Sequence, residues 1–73
     1  MSATVCPHKI KHNKQAYEGA PCLFPEYDDI TGKILMKEGE LTRDRDFWFF
    51  PNAHPDFVEY DEEFWAQVEL IEK

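Results

Sequence analysis

Pro21, Pro25, Gly32, Gly39, Pro51 and Pro55 break the middle of this chain at short intervals, and that spacing constrains the fold more than any other feature. Proline cannot extend a helix interior, and glycine weakens one, so the segments between them suit short strands better than long helices. Lys9 to His12 and Ala16 to Glu18 are weak strand candidates, while Cys22-Leu23-Phe24 is a stronger one that Pro25 is expected to end. Asp28-Asp29-Ile30-Thr31-Gly32 has the Asp and Gly chemistry of a tight reversal, and Lys33 to Lys37 reads as the strand after it. Glu38-Gly39 is a plausible hairpin tip, because glycine tolerates positive φ, with Glu40 to Arg43 returning.

Phe47-Trp48-Phe49-Phe50 is aromatic on both faces of any extended segment, since successive strand side chains point opposite ways. Asp56 to Tyr60 is a further short strand candidate, and Asp61-Glu62-Glu63 has the cap and acidic first turn of a helix start. From Phe64 to Ile71 the pattern fits both a strand and a helix. The reading adopted is one helical turn at 61–65 followed by a closing strand. The expected fold is therefore mainly β, a single domain over residues 1–73 with five or six short strands and a loose stretch at 1–7. So many short strands must curl into a small barrel or bent sheet, SH3-like or OB-like, to protect their edges. An α+β arrangement with a carboxy-terminal helix on the sheet is the alternative.

Between Asp46 and Trp65 the chain crowds eight of its eleven aromatic residues beside six carboxylates, with no Lys or Arg. Rings supply apolar area at low side-chain entropy, and unneutralised carboxylates make a field that a basic partner feels. The net charge of −7 sits entirely after Met36, because Lys9, Lys11, Lys14 and Lys33 balance Glu18, Glu26, Asp28 and Asp29. This charge argues against direct nucleic-acid binding, which neutralises phosphates with clustered Lys and Arg. One assignment places Phe47, Phe49, Phe57, Phe64 and Val68 in the core and Trp48 and Trp65 at its ends. A core this small does not need every ring, which leaves Trp48, Phe50 and Tyr60 as candidate partner-binding anchors. Asp56, Glu59, Asp61, Glu62 and Glu63 would form the acidic rim around them.

Cys6, His8, His12 and Cys22 could close a tetrahedral zinc site, but Cys6-Pro7-His8 is too tight for a zinc knuckle, so no metal is assigned. No cofactor is expected: the three glycines are isolated, and no phosphate-cradling loop is present. Nothing sets Cys22 beside a base, and no enzyme activity is expected. With two cysteines, no apolar leader and no membrane-length apolar run, the chain reads as a cytoplasmic protein with reduced thiols. Function is then expected to be binding of a basic protein. One form is a stoichiometric inhibitor whose carboxylates occupy a nucleic-acid-binding surface, and reversing Asp61, Glu62 and Glu63 to Lys should abolish binding without unfolding. A small accessory subunit of a larger assembly is the second reading, and a zinc-stabilised module the third.

Overall fold

The computed structural model describes residues 4–55 and 58–72. In chain order the elements are β1 (Val5–Ile10), a 3-10 turn (Lys11–Asn13), β2 (Lys14–Tyr17), β3 (Pro21–Asp28) and β4 (Lys33–Glu40). They are followed by β5 (Thr42–Asp44), β6 (Phe47–Phe49), α1 (Glu62–Gln67) and β7 (Glu69–Leu70). The protein is mainly β, with seven strands and one short helix among the described residues. Among the described residues the strands form three separate antiparallel sheets, ordered β1-β2, β4-β3-β7 and β5-β6, and no ring of strands closes into a barrel. The physical reason is visible in β3 and β4. Their register runs unbroken from Pro21 opposite Glu40 to Asp28 opposite Lys33, so the longest strands form a hairpin that projects beyond the core instead of bending back over it. The molecule measures 44 × 25 × 20 Å.

Local chemistry explains where the hairpin turns. The Asp28 carboxylate accepts from the Ile30 N–H at 3.0 Å, the Asp28 carbonyl accepts from the Gly32 N–H at 2.7 Å, and Gly32 takes φ +72°. The expected reversal at 28–32 is therefore present. The expected tip at Glu38-Gly39 is not, because Gly39 lies inside β4 opposite Cys22. Gly39 serves packing instead: a Cβ there would stand 2.6 Å from Phe24 Cε1 and 2.6 Å from Asn52 Oδ1. Pro25 does not end its strand either. Its pairing with Met36 is intact, which requires its missing N–H to fall on the β3 edge away from β4, where no ladder bond is needed.

The core gathers Cys6, Ile10, Ala16, Cys22, Phe24, Leu41, Trp48, Phe50, Phe64, Trp65 and Val68. Phe24 stacks on Phe50 at 4.5 Å, and Phe64 meets Trp65 edge-on at 5.2 Å. Cys6 is fully buried within β1, so the looseness expected of 1–7 does not extend to Val5–Pro7. The expected helical turn extends to Gln67, with the Asp61 side chain accepting from the Phe64 N–H at 2.8 Å. The closing strand follows as β7. Leu70 and Glu69 pair with Cys22 and Leu23, and the chain before Val68 winds into α1, so a helix flanks the next stretch of β3. Within the candidate strand at 56–60, Asp56 and Phe57 lie outside the described residues, while Val58 to Tyr60 run without strand pairing.

Candidate functional site

Pro25 and Tyr27 on β3 share one face of the hairpin with Met36 and Ile34, their register partners on β4. Val58 and the start of α1 lie across from this face, and between the two is a groove of about 170 Å³. Pro25, Val58 and Phe64 are the buried apolar part of its lining, and Tyr27 and Ile34 the exposed part. Three carboxylates, Glu59, Asp61 and Glu63, complete it, all on exposed residues, and among the described residues no Lys or Arg lines it.

The acids of this groove take no part in the ion pairs described for the chain. The ion pairs among the described residues join Lys11 to Glu69, Lys14 to Glu72, Lys37 to Glu26 and Arg43 to Glu18. None of them uses Glu59, Asp61, Glu62 or Glu63, so among the described residues no Lys or Arg offsets the local field at the mouth of the groove by an ion pair. One Asp61 oxygen is committed to the helix cap, and the amino-terminal end of α1 favours the acids at Glu62 and Glu63. Reversal of Asp61 would therefore damage the helix as well as the charge, and the expectation that reversing all three acids leaves folding intact does not hold for that residue.

The structure brings together only part of the anchor set read from sequence. Trp48 and Phe50 are core residues, exposed by 5% and 1%, so neither offers a ring to a partner. Arg43 covers Trp48, with its guanidinium carbon 5.9 Å from the ring centroid. Tyr60 is half-buried, and its hydroxyl accepts from the Phe50 N–H at 3.1 Å and donates to the Phe50 carbonyl at 3.4 Å. Burial pushes the Tyr60 phenol up from its ordinary value, against the opposing effect of the bond to Phe50. Glu62 points to a different place, a concavity it shares with Pro7, His8, Lys9 and Trp65, and Asp56 lies outside the described residues. Glu59, Asp61 and Glu63 are the predicted residues that meet in one groove.

Within residues 47–50 the inside and outside are the reverse of the assigned core. Phe47 and Phe49 stack on the outer face at 5.6 Å, with Phe47 54% exposed, while Trp48 and Phe50 point inward. The outer pair lines a second, largely apolar hollow of about 480 Å³ with Pro51, Ala53, Pro55 and Tyr60. Sequence reading placed the hairpin's reversal but missed its exposed apolar surface, formed by Tyr27, Ile30, Ile34, Leu35 and Met36. The available signal was the run Ile34-Leu35-Met36, which puts apolar side chains on both faces of a strand and so demands cover on both.

The soft ligands do not assemble. Among the described residues no three His, Cys, Asp or Glu side chains gather at metal-binding geometry. His8 lies flat on Trp65 at 4.9 Å between centroids, and Cys6 and Cys22 are buried free thiols. Burial, aided by the neighbouring Cys6, pushes the Cys22 thiol up to about 11, and burial raises Cys6 as well. Both are therefore protonated near neutral pH, the form that is a poor nucleophile and a poor metal ligand. No helix among the described residues is long and apolar enough to cross a membrane. No protein-family model matches the chain, and neither curated proteins nor solved structures yield a match.

Proposed function

We propose that this protein is a small protein-binding module that takes a basic segment of another protein into the groove between the β3-β4 hairpin and α1. The observation that carries this reading is the meeting of Glu59, Asp61 and Glu63, outside every ion pair described above, with the exposed apolar side chains of Tyr27 and Ile34. A Lys or Arg side chain fits such a site in two ways, laying its aliphatic stem on the apolar wall and its charged head among the carboxylates. Where the partner's basic surface ordinarily holds nucleic-acid phosphates, occupation by these acids makes the module a stoichiometric inhibitor. The buried, unpaired thiols are compatible with action in a reducing, cytoplasmic setting.

The paired substitution Glu59→Lys with Glu63→Lys tests the reading, because it leaves the Asp61 cap in place. Capture from the native host on tagged wild-type chain, compared with this variant, is expected to lose its basic partner while the thermal transition of the variant stays within a few degrees. Affinity for that partner should fall steeply as salt rises from low to moderate. Undiminished capture by the variant contradicts the proposal. A second reading, an accessory subunit buried against a neighbour, draws on Ile30 at the hairpin tip, which is 91% exposed, and on Leu35 and Met36 outside the groove. Affinity indifferent to salt favours that reading over the first.

A further inference from the structure

Beside Tyr27, the polar side chains that line the groove among the described residues are Glu59, Asp61, Glu63 and Gln67. An ionised carboxylate accepts hydrogen bonds and donates none. The Gln67 amide could do both, but its Nε2 donates to the Glu63 carbonyl at 3.1 Å, one turn back on α1, and among the described residues its oxygen has no hydrogen bond. Asp61 gives Oδ1 to the Phe64 N–H and keeps its other oxygen. The groove therefore holds an excess of acceptors, set at three places along the chain: the stretch before α1, the helix cap, and the side of α1 that Glu63 and Gln67 share through their spacing of four. On the hairpin wall across from them stand Tyr27, 45% exposed, and its register partner Ile34.

We infer that the groove selects arginine over lysine, with the guanidinium against the Tyr27 ring and its N–H groups on the oxygens of Glu59, Asp61, Glu63 and Gln67. This selection rests on the groove being a site for a basic segment, and it names the cation that segment must carry. Lysine and arginine are the two side chains that bring positive charge and donors with no acceptor. The three donors of lysine radiate from one compact, strongly hydrated nitrogen, whereas the five of arginine lie in a plane and leave it in several directions. Acceptors held on separate backbone positions suit the second arrangement. The guanidinium is also more weakly hydrated, so it costs less to bring beside Pro25, Val58 and Phe64, the buried apolar part of the lining. Its flat face stacks on an aromatic ring, which makes Tyr27 the residue that discriminates between the two cations.

The test is NMR titration of the full chain, at one low salt concentration, with glycine-serine peptides that differ only in their cationic residues. One peptide carries arginine, one lysine, and one arginine dimethylated on a terminal nitrogen, which keeps the charge and blocks the two-pronged hydrogen bond. Arginine should bind about fivefold tighter than lysine, and dimethylation should remove that margin. Tyr27→Leu keeps the wall apolar and lies on the exposed arm, so its thermal transition should match that of the wild type. In that variant the arginine and lysine peptides should bind within about twofold of one another. Equal affinities for arginine and lysine in the wild-type chain overturn the inference and leave the groove as a site for either cation. Binding of neither peptide, or binding that Glu59→Lys with Glu63→Lys does not weaken, overturns the groove itself and the selection with it. A margin that survives Tyr27→Leu overturns the role of the ring.

Discussion

Phe24 and Ile34 belong to the same hairpin and have almost nothing else in common. Phe24 is sealed, stacked on Phe50 and touched by Phe64, with Gly39 beneath it cleared of any side chain to let the rings approach. Ile34, beyond the reach of that core, is 64% exposed beside Tyr27. One continuous register therefore carries the strands from a packed base into an open arm, and apolar residues mean different things at its two ends. At the base they supply stability. On the arm they contribute little to it, because area left in water gives no burial free energy, and this is the condition for their use in binding.

Truncation at the two ends tests this contrast with the largest expected effect. Trp65→Ala or Phe24→Ala should cost about 3–5 kcal/mol, comparable to the whole stability of a domain this small, so either chain should be largely unfolded by far-ultraviolet dichroism at room temperature. Leu35→Ala should change stability by no more than about 0.5 kcal/mol in urea titration. Equal costs at both ends would erase the distinction between base and arm.

Gly39 marks the border between them. Gly39→Ala must move Phe24, Phe50 or Asn52 to make room, at an expected cost of about 1–3 kcal/mol, read as a lower urea midpoint with an unchanged slope. A neutral Gly39→Ala would place the packed base further from β4 than described. The smallest effect separates structure from charge at the groove. Asp61→Ala should cost about 1 kcal/mol through loss of the cap, whereas Asp61→Asn, which caps as well, should keep most of that stability while removing one rim charge. Thermal unfolding of the pair checks this, and identical losses in both variants would remove the cap from the account.

What the sequence revealed of the fold is what local chemistry decides. The reversal at Asp28 to Gly32 and the helix start at Asp61 were readable because each rests on side chains that bond backbone groups within four residues. Gly39 was misread because a turn glycine and a packing glycine look alike locally, and its crowding neighbours, Phe24, Phe50 and Asn52, are distant in the chain. The inward face of residues 47–50 was equally hidden. Four rings in a row carry no alternation, and the inward pair is marked by packing on residues distant in the chain, such as Phe50 against Phe24 and Phe64. Of the candidate site, the acids at 59, 61 and 63 were visible as uncompensated charge, while Tyr27 and Ile34 reach them only through the hairpin's projection, which no local pattern encodes.

The proposed function requires that the acids of the groove and the apolar arm act as one docking site for a basic segment. Amide and side-chain NMR shifts during titration with a short peptide of Lys, Arg and Leu, run beside its Glu-substituted counterpart, test this most directly. Saturable shifts are expected at Tyr27, Ile34, Glu59, Asp61, Glu63 and Phe64 alone, weakened by added salt and absent with the acidic peptide. Shifts scattered over all the surface carboxylates, with none at Tyr27 or Ile34, would contradict it.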